Sequence, residues 1–198
     1  VRSRGLGDVY KRQRDLILKD CGIDIDKFET AESLLAEIKA KGIKLEADNL
    51  EQLGRGNLID TLYKKVSRPN IINPTYLIEH PIDLSPLARS NDENPKLTDR
   101  FQLVVNGQEI INGYSELVDC DEQEKRFIEQ AELKANGDEE AMSIDTEYIR
   151  AMQYGMPPIS GWGLGIDRFL QFLTNSDNIR DVVLYPLMKP RAAEESED

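Results

Sequence analysis

Residues 101–111, Phe101-Gln102-Leu103-Val104-Val105-Asn106-Gly107-Gln108-Glu109-Ile110-Ile111, decide the fold class. Two β-prone runs flank Asn106-Gly107, the dipeptide best suited to a two-residue hairpin turn in which both central residues take positive φ. That turn sets Val105 opposite Gln108, Val104 opposite Glu109 and Gln102 opposite Ile111. Side chains alternate across strands, so Gln102 and Glu109 share one face as diagonal neighbours. Asn112 and Glu116 have the opposite parity. A bulge near residues 111–113, where Gly113 stands, brings them to the same face. The result is an acidic, amide-bearing surface suited to a cation or an ammonium group. On spacing alone, the solvated outer face of a hairpin is the plainer reading.

Outward from the hairpin, helices surround strands. Thr30 caps a helix with Leu34, Leu35 and Ile38 on one face, and Gly42 stops it. A second helix starts near Asn57, carries the stripe Leu58, Ile59, Leu62, Tyr63 and Val66, and ends before Pro69. Thr75-Tyr76-Leu77-Ile78 is a short strand leading into a turn-rich loop from Pro81 to Pro95. Asp121 starts a helix running through about Ala135, and Asp145 another that ends at Gly155. A glycine-rich strand then feeds a helix carrying Phe169, Leu170, Phe172 and Leu173. No internal repeat is visible. This order predicts an α+β fold, an antiparallel sheet with helices packed on it, over alternating βαβ units.

The chain is long enough for one domain with its own core. Hydrophobic residues at 39% and charged ones at 31% place it with globular, soluble proteins. No apolar run approaches the roughly 20 residues that span a bilayer. Cys21 and Cys120 fit no metal-ligand spacing, and the default setting is the reduced cytoplasm. The net charge of −12 argues against a module that grips nucleic acid through phosphates. Only residues 1–13 are basic, with Arg2, Arg4, Lys11 and Arg12, and they show no amphipathic period. They read as a non-native scar outside the fold. Residues 191–198 read as an acidic disordered tail.

Gly161-Trp162-Gly163-Leu164-Gly165-Ile166-Asp167-Arg168 is a second candidate site. Its glycines keep the strand thin, so that a flat ligand can approach the backbone. Arg168 follows on the first turn of a helix, where a guanidinium contacts phosphate or stacks on a base. Close strand–helix packing with a surface Asp167–Arg168 pair accounts for the pattern equally well. His80, the only histidine, reads as a loop residue and not a catalyst. Ser85 and Ser160 have no base positioned by sequence. Asp138-Glu139-Glu140 reads as a solvated loop and not a metal site.

Together these segments resemble the class II lysyl-tRNA synthetases. Residues 161–168 are similar to motif 3 of the class, and His80 to Asp92 to a loop characteristic of the lysine enzymes. Glu109-Ile110-Ile111-Asn112-Gly113-Tyr114-Ser115-Glu116-Leu117 resembles their substrate-binding strand, and residues 179–186 their closing segment. The resemblance covers residues 14–190, with 14–67 a helical section and 68–190 the sheet and motif 3 core. It implies an incomplete class II sheet flanked by helices. It further implies that Arg168, Gly163, Gly165 and Glu109 bind ATP, with Arg168 on the adenine and γ-phosphate. Glu109, with Gln102, would hold Mg2+. Glu116 would pair with the ε-ammonium of lysine, beside Tyr114, and Asn112 would contact its main-chain end. Residues 132–143 would order over the adenylate. The implied partners are ATP, L-lysine, tRNA(Lys) and a second copy in a homodimer.

Two departures qualify the resemblance. Where Gln102 stands, the family normally carries a second metal-binding glutamate, and an amide oxygen brings no charge. Motif 1, motif 2 and an anticodon-binding OB-fold are not found ahead of residue 14. The expectation is therefore a fragment that is inactive alone, from a parent lysine–tRNA ligase. One rival is a paralogue without the OB-fold that modifies elongation factor P. A second is a non-enzymatic binding protein on the same fold.

Overall fold

The Asn106-Gly107 turn forms as its chemistry requires, with φ of 49° and 70°. It joins strand β3 (Leu97–Val105) to β4 (Gln108–Ser115). The tip docks through backbone bonds from Asn106 N–H to the Ile72 carbonyl and from Gly107 N–H to the Ile71 carbonyl. Three more strands complete a sheet in chain order, β1 (Tyr10–Arg12), β2 (Thr75–Pro81), β3, β4 and β5 (Ser160–Leu164). The computed structural model describes residues 9–46 and 49–187, so the expected acidic tail and residues 1–8 lie outside it. Residues up to Leu164 and those from Gly165 onward form two compact units. The fold is α+β, as expected.

Two corrections concern the sheet. It is mixed and not wholly antiparallel, because β1 pairs in parallel with β2, Lys11 opposite Leu77. Residues 10–12, excluded from the fold on sequence, therefore belong to it. Gln13, which follows directly, is 1% exposed at the start of helix α1 (Gln13–Cys21), a helix that the sequence pattern did not single out. The second correction is the bulge. Val104 faces Glu109 as expected, but Leu103 faces Ile111 and Gln102 faces Asn112, so the extra residue is Ile110. Gly113 serves a different purpose. It lies between Phe101 and Trp162, where a Cβ would come within 2.7 Å of Trp162 Cβ and 2.8 Å of the Phe101 ring.

Helices α2 (Ala31–Ala40) and α3 (Arg55–Val66) form with the apolar stripes read above. Thr30 caps α2 through a reciprocal bond with Ser33, and Gly42 takes a φ of 71° past its end. Ile17, Leu34, Ile38, Leu58, Ile59 and Leu62 are each 1% exposed or less and join Leu77 and Val104 from the sheet. This cluster covers one end of the sheet face that carries Gln102. A smaller cluster joins Phe127 of α4 (Cys120–Ala135) to Ile149 and Met152 of α5 (Thr146–Gln153). Helix α4 begins earlier than expected because Asp119, not Asp121, accepts the first free N–H groups. Asp138 is also not solvated. It is fully buried at the N-terminus of α3, whereas Glu139 and Glu140 are exposed.

The loop after β2 has few ladder partners, and side chains satisfy its carbonyls instead. Arg126 of α4, 5% exposed, donates to the Ala88 carbonyl and to Ser90 Oγ, both at 2.8 Å. Gln123 donates to the Pro86 carbonyl, and Arg100 to that of Leu84. Isolated bridges from Ala88 to Glu116 and from Ser90 to Thr98 fix the loop against the sheet. Among the described residues, no helix is long and apolar enough to cross a membrane.

Candidate active site

The bulge at Ile110 gathers the candidate residues. Because it adds one residue to β4, Glu109 and Asn112 reach the same face although three positions apart. Asn112 stands opposite Gln102, and Tyr114 opposite Arg100. Glu116 follows in the same alternation. Across the other edge of β4, Gly163 faces Asn112 and Gly161 faces Tyr114. A Cβ on Gly163 would meet nothing within 4 Å, so a flat group can lie against this stretch of backbone. A Cβ on Gly161 would sit 3.2 Å from Glu116 Oε1, which makes this glycine the space into which the carboxylate fits.

Glu116 carries the distinctive electrostatics. Burial pushes its carboxyl above the usual range. Tyr114 and Tyr148 are raised as well, mainly by burial, with the Glu116 charge adding to each. No Lys, Arg or His pairs with Glu116 among the described residues. A half-buried carboxylate without a basic partner is an incomplete ion pair, and a ligand cation would complete it.

Arg100 supplies a half-buried positive charge to the face, and sequence reasoning missed it. Its Nε donates to Asn112 Oδ1 at 3.0 Å and its Nη1 to Ser85 Oγ at 2.9 Å. The Asn112 oxygen is thus engaged, and its NH2 is the end that can serve a ligand, as a donor. The available signal was strand parity, since Arg100 stands two residues before Gln102.

His80 was misread more plainly. It lies in β2 and not in a loop, 1% exposed, where the register slips and Glu79 takes a φ of 54°. Its Nε2 lies 3.2 Å from Gln102 Oε1, and Gln102 Nε2 donates to Glu109 Oε2 at 2.7 Å. Burial, with the nearby Arg100 charge, lowers the imidazole to about 4 from an ordinary 6.5. Below pH 6.5 the unfolded chain takes up a proton that the folded one refuses. The associated stability is full above pH 6.5 and is lost as the pH falls toward about 4. Between pH 6.5 and 5, urea unfolding should show wild type losing about 2 kcal/mol more than His80→Gln. Equal losses would remove His80 as the titrating group.

The expected cation pair of Glu109 and Gln102 meets a geometric obstacle. Gln102 presents a nitrogen to Glu109, and its oxygen faces His80. Among the described residues, no cluster of three or more His, Cys, Asp or Glu could hold a metal. The residues fit a cation held by one carboxylate together with ligand oxygens, the arrangement Mg2+ commonly takes on nucleotides. They do not fit a two-carboxylate cradle.

In the second unit, helix α6 (Ile166–Thr174) starts after Gly165, and Arg168 stands on its first turn as expected. Residues 132–143, expected to order over a ligand, comprise the end of α4 and a turn held by the buried Asp138.

The family model for class II tRNA synthetases (D, K and N) matches residues 23–189. A lysine–tRNA ligase of Thermotoga maritima is 44% identical over 186 residues, 94% of this chain and 36% of that protein. The heat-inducible lysine–tRNA ligase of Escherichia coli is 45% identical over 168 residues, 85% of this chain and 32% of that protein. A lysine–tRNA ligase of Pelotomaculum thermopropionicum is 44% identical over 170 residues, covering 86% of this chain and 33% of its own length. The chain thus spans about a third of the length of the curated relatives it matches.

Proposed function

The chain belongs to the class II tRNA synthetases of the D, K and N group, and from that premise we propose that the protein carrying it is a lysine–tRNA ligase. Lysine and ATP give lysyl-adenylate and pyrophosphate, and the 3′-terminal ribose of tRNA(Lys) then takes the lysyl group. The observation that carries the choice of lysine is Glu116. Its carboxylate is half-buried, raised by burial and unpaired among the described cations, so it selects a substrate that ends in an ammonium. A side chain without that charge would leave it unpaired.

The roles of the remaining sheet residues follow from position on the face, and those of Gly165 and Arg168 from the family resemblance. Asn112, its oxygen held by Arg100, offers N–H donors to the carboxylate at the main-chain end of the amino acid. Tyr114 stands between Asn112 and Glu116 along the strand and lines the path of the side chain. Glu109 holds Mg2+ together with the ATP phosphates, and when bound the ion supplies positive charge beside them. Gly163 keeps β5 thin for the nucleotide, and Gly165 stands at the start of α6. Arg168, on the first turn of α6, serves the adenine and γ-phosphate. Two free cysteines are consistent with a reduced cytoplasmic setting. Assembly as a homodimer follows the family.

Amino-acid-dependent ATP–pyrophosphate exchange by the protein that carries this chain tests the proposal. Lysine is expected to support exchange, and aspartate and asparagine are not. Exchange with either of those, and none with lysine, would assign the chain to another branch of its family.

A further inference from the structure

Gln102 occupies an unusual position, a buried amide between a buried imidazole and a carboxylate. It is 8% exposed, His80 1%, and the three side chains form one chain from His80 Nε2 through Gln102 to Glu109 Oε2. The order of donors along it is determined. Glu109 Oε2 accepts at 2.7 Å, so the Gln102 atom facing it is the N–H donor. Gln102 Oε1 then faces His80 Nε2, which must carry the proton. His80 Nδ1 is left as a bare lone pair. It is buried with no hydrogen-bond partner among the described residues, which is tolerable for a lone pair and unfavourable for an N–H.

Turning the amide over fails. Its oxygen would oppose a carboxylate oxygen at 2.7 Å, acceptor against acceptor. The backbone reinforces the arrangement. Thr98 Oγ1 donates to the His80 carbonyl at 3.1 Å, and Glu79 takes a left-handed φ at the slip that aims the ring at Gln102.

We propose that Gln102 is a positioning residue and not a cation ligand: the buried His80 ring clamps its amide so that it donates to Glu109 and fixes that carboxylate. The hydrogen bond engages Glu109 Oε2, and the Gln102 oxygen, the atom a hard cation such as Mg2+ requires, is turned away to the imidazole. A divalent cation at this site is therefore held by Glu109 and the oxygens of its nucleotide. The inference deepens the reading of Glu109 as the cation residue, but the clamp itself does not depend on it.

His80 is the only histidine of the 198-residue chain, so its ring nitrogens are unambiguous in a long-range proton–nitrogen correlation spectrum. The spectrum is recorded on the chain alone, then with Mg2+, then with Mg2+ and ATP. The Nε2–H tautomer is expected throughout. A switch to Nδ1–H on adding Mg2+ would mean that the amide turns its oxygen to the metal, and would overturn the proposal. The first spectrum needs neither metal nor substrate, so its outcome is separate from whether Glu109 holds a cation. In Gln102→Leu, the His80 Nε2–H is expected to exchange with water about tenfold faster or more, having lost its acceptor. Unchanged exchange would reduce His80 to a packing residue and also overturn the clamp.

Discussion

Glu116→Gln is expected to lower kcat/KM for lysine by about a thousandfold in pyrophosphate exchange, the scale set by leaving one partner of a desolvated charge pair unpaired. The amide keeps the shape of the carboxylate and fits the space over Gly161, so packing is not what changes. The loss is of charge, at a carboxylate that burial already raises and whose charge also acts on Tyr114 and Tyr148. The KM for ATP should stay within about threefold, because Glu109 and Glu116 serve different ends of the reaction. The effect also has a pH signature in the wild-type protein. Lysine affinity requires ionised Glu116 and should fall on acidification at a pH above the ordinary glutamate range, since burial raises this group. A variant that retained a tenth or more of wild-type efficiency would remove Glu116 from the specificity pocket.

Asp138→Ala is expected to give the largest loss of stability. Helix α3 begins at Gly54, whose lack of a side chain leaves the first turn without a local cap. Asp138, 84 residues further along the chain, takes that role by accepting the Gly54 N–H at 2.7 Å. It also accepts from Asn57 Nδ2 at 2.8 and 2.9 Å and from Glu140 N–H at 3.1 Å. A negative charge at a helix N-terminus is favourable in its own right. Removing it strands the buried Gly54 N–H and the part-buried donors of Asn57 and Glu140, at a combined cost of about 3 kcal/mol. That is a third or more of the stability of a typical domain. The loss would spread, because α3 carries Leu58, Ile59, Leu62 and Tyr63 into the main core. Urea unfolding should show it as a lower midpoint with an unchanged slope. A shift worth less than about 1 kcal/mol would mean that the donors find water or other partners.

What was legible in the sequence was local. The Asn106-Gly107 turn, the Thr30 cap and the apolar stripes of α2 and α3 act within a few residues, and the structure contains each of them. Strand alternation also put Gln102 and Glu109 on one face, where they are hydrogen-bonded. What was not legible depends on partners distant in sequence. Strand β1 is three residues long and exists because β2, more than sixty positions later, pairs with it. Asp138 looks like part of an acidic surface run until α3 closes over it. His80 is buried because Glu79 adopts a conformation that its residue type does not advertise. The direction of the Gln102 amide depends in turn on His80. The bulge was expected at the conspicuous glycine, but Gly113 leaves room for Phe101 on one side and Trp162 on the other, and the extra residue is Ile110.

The central claim is that this acidic face recognises an amino acid through its terminal ammonium. Its most direct test is the binding of lysine and of norleucine, which has the same chain without the amine, to the protein that carries this chain, followed by thermal unfolding. Lysine is expected to protect and norleucine to give no protection at the same concentration. Equal protection by the two would show that the ammonium is not read, and would contradict the assignment of Glu116 and the lysine specificity built on it.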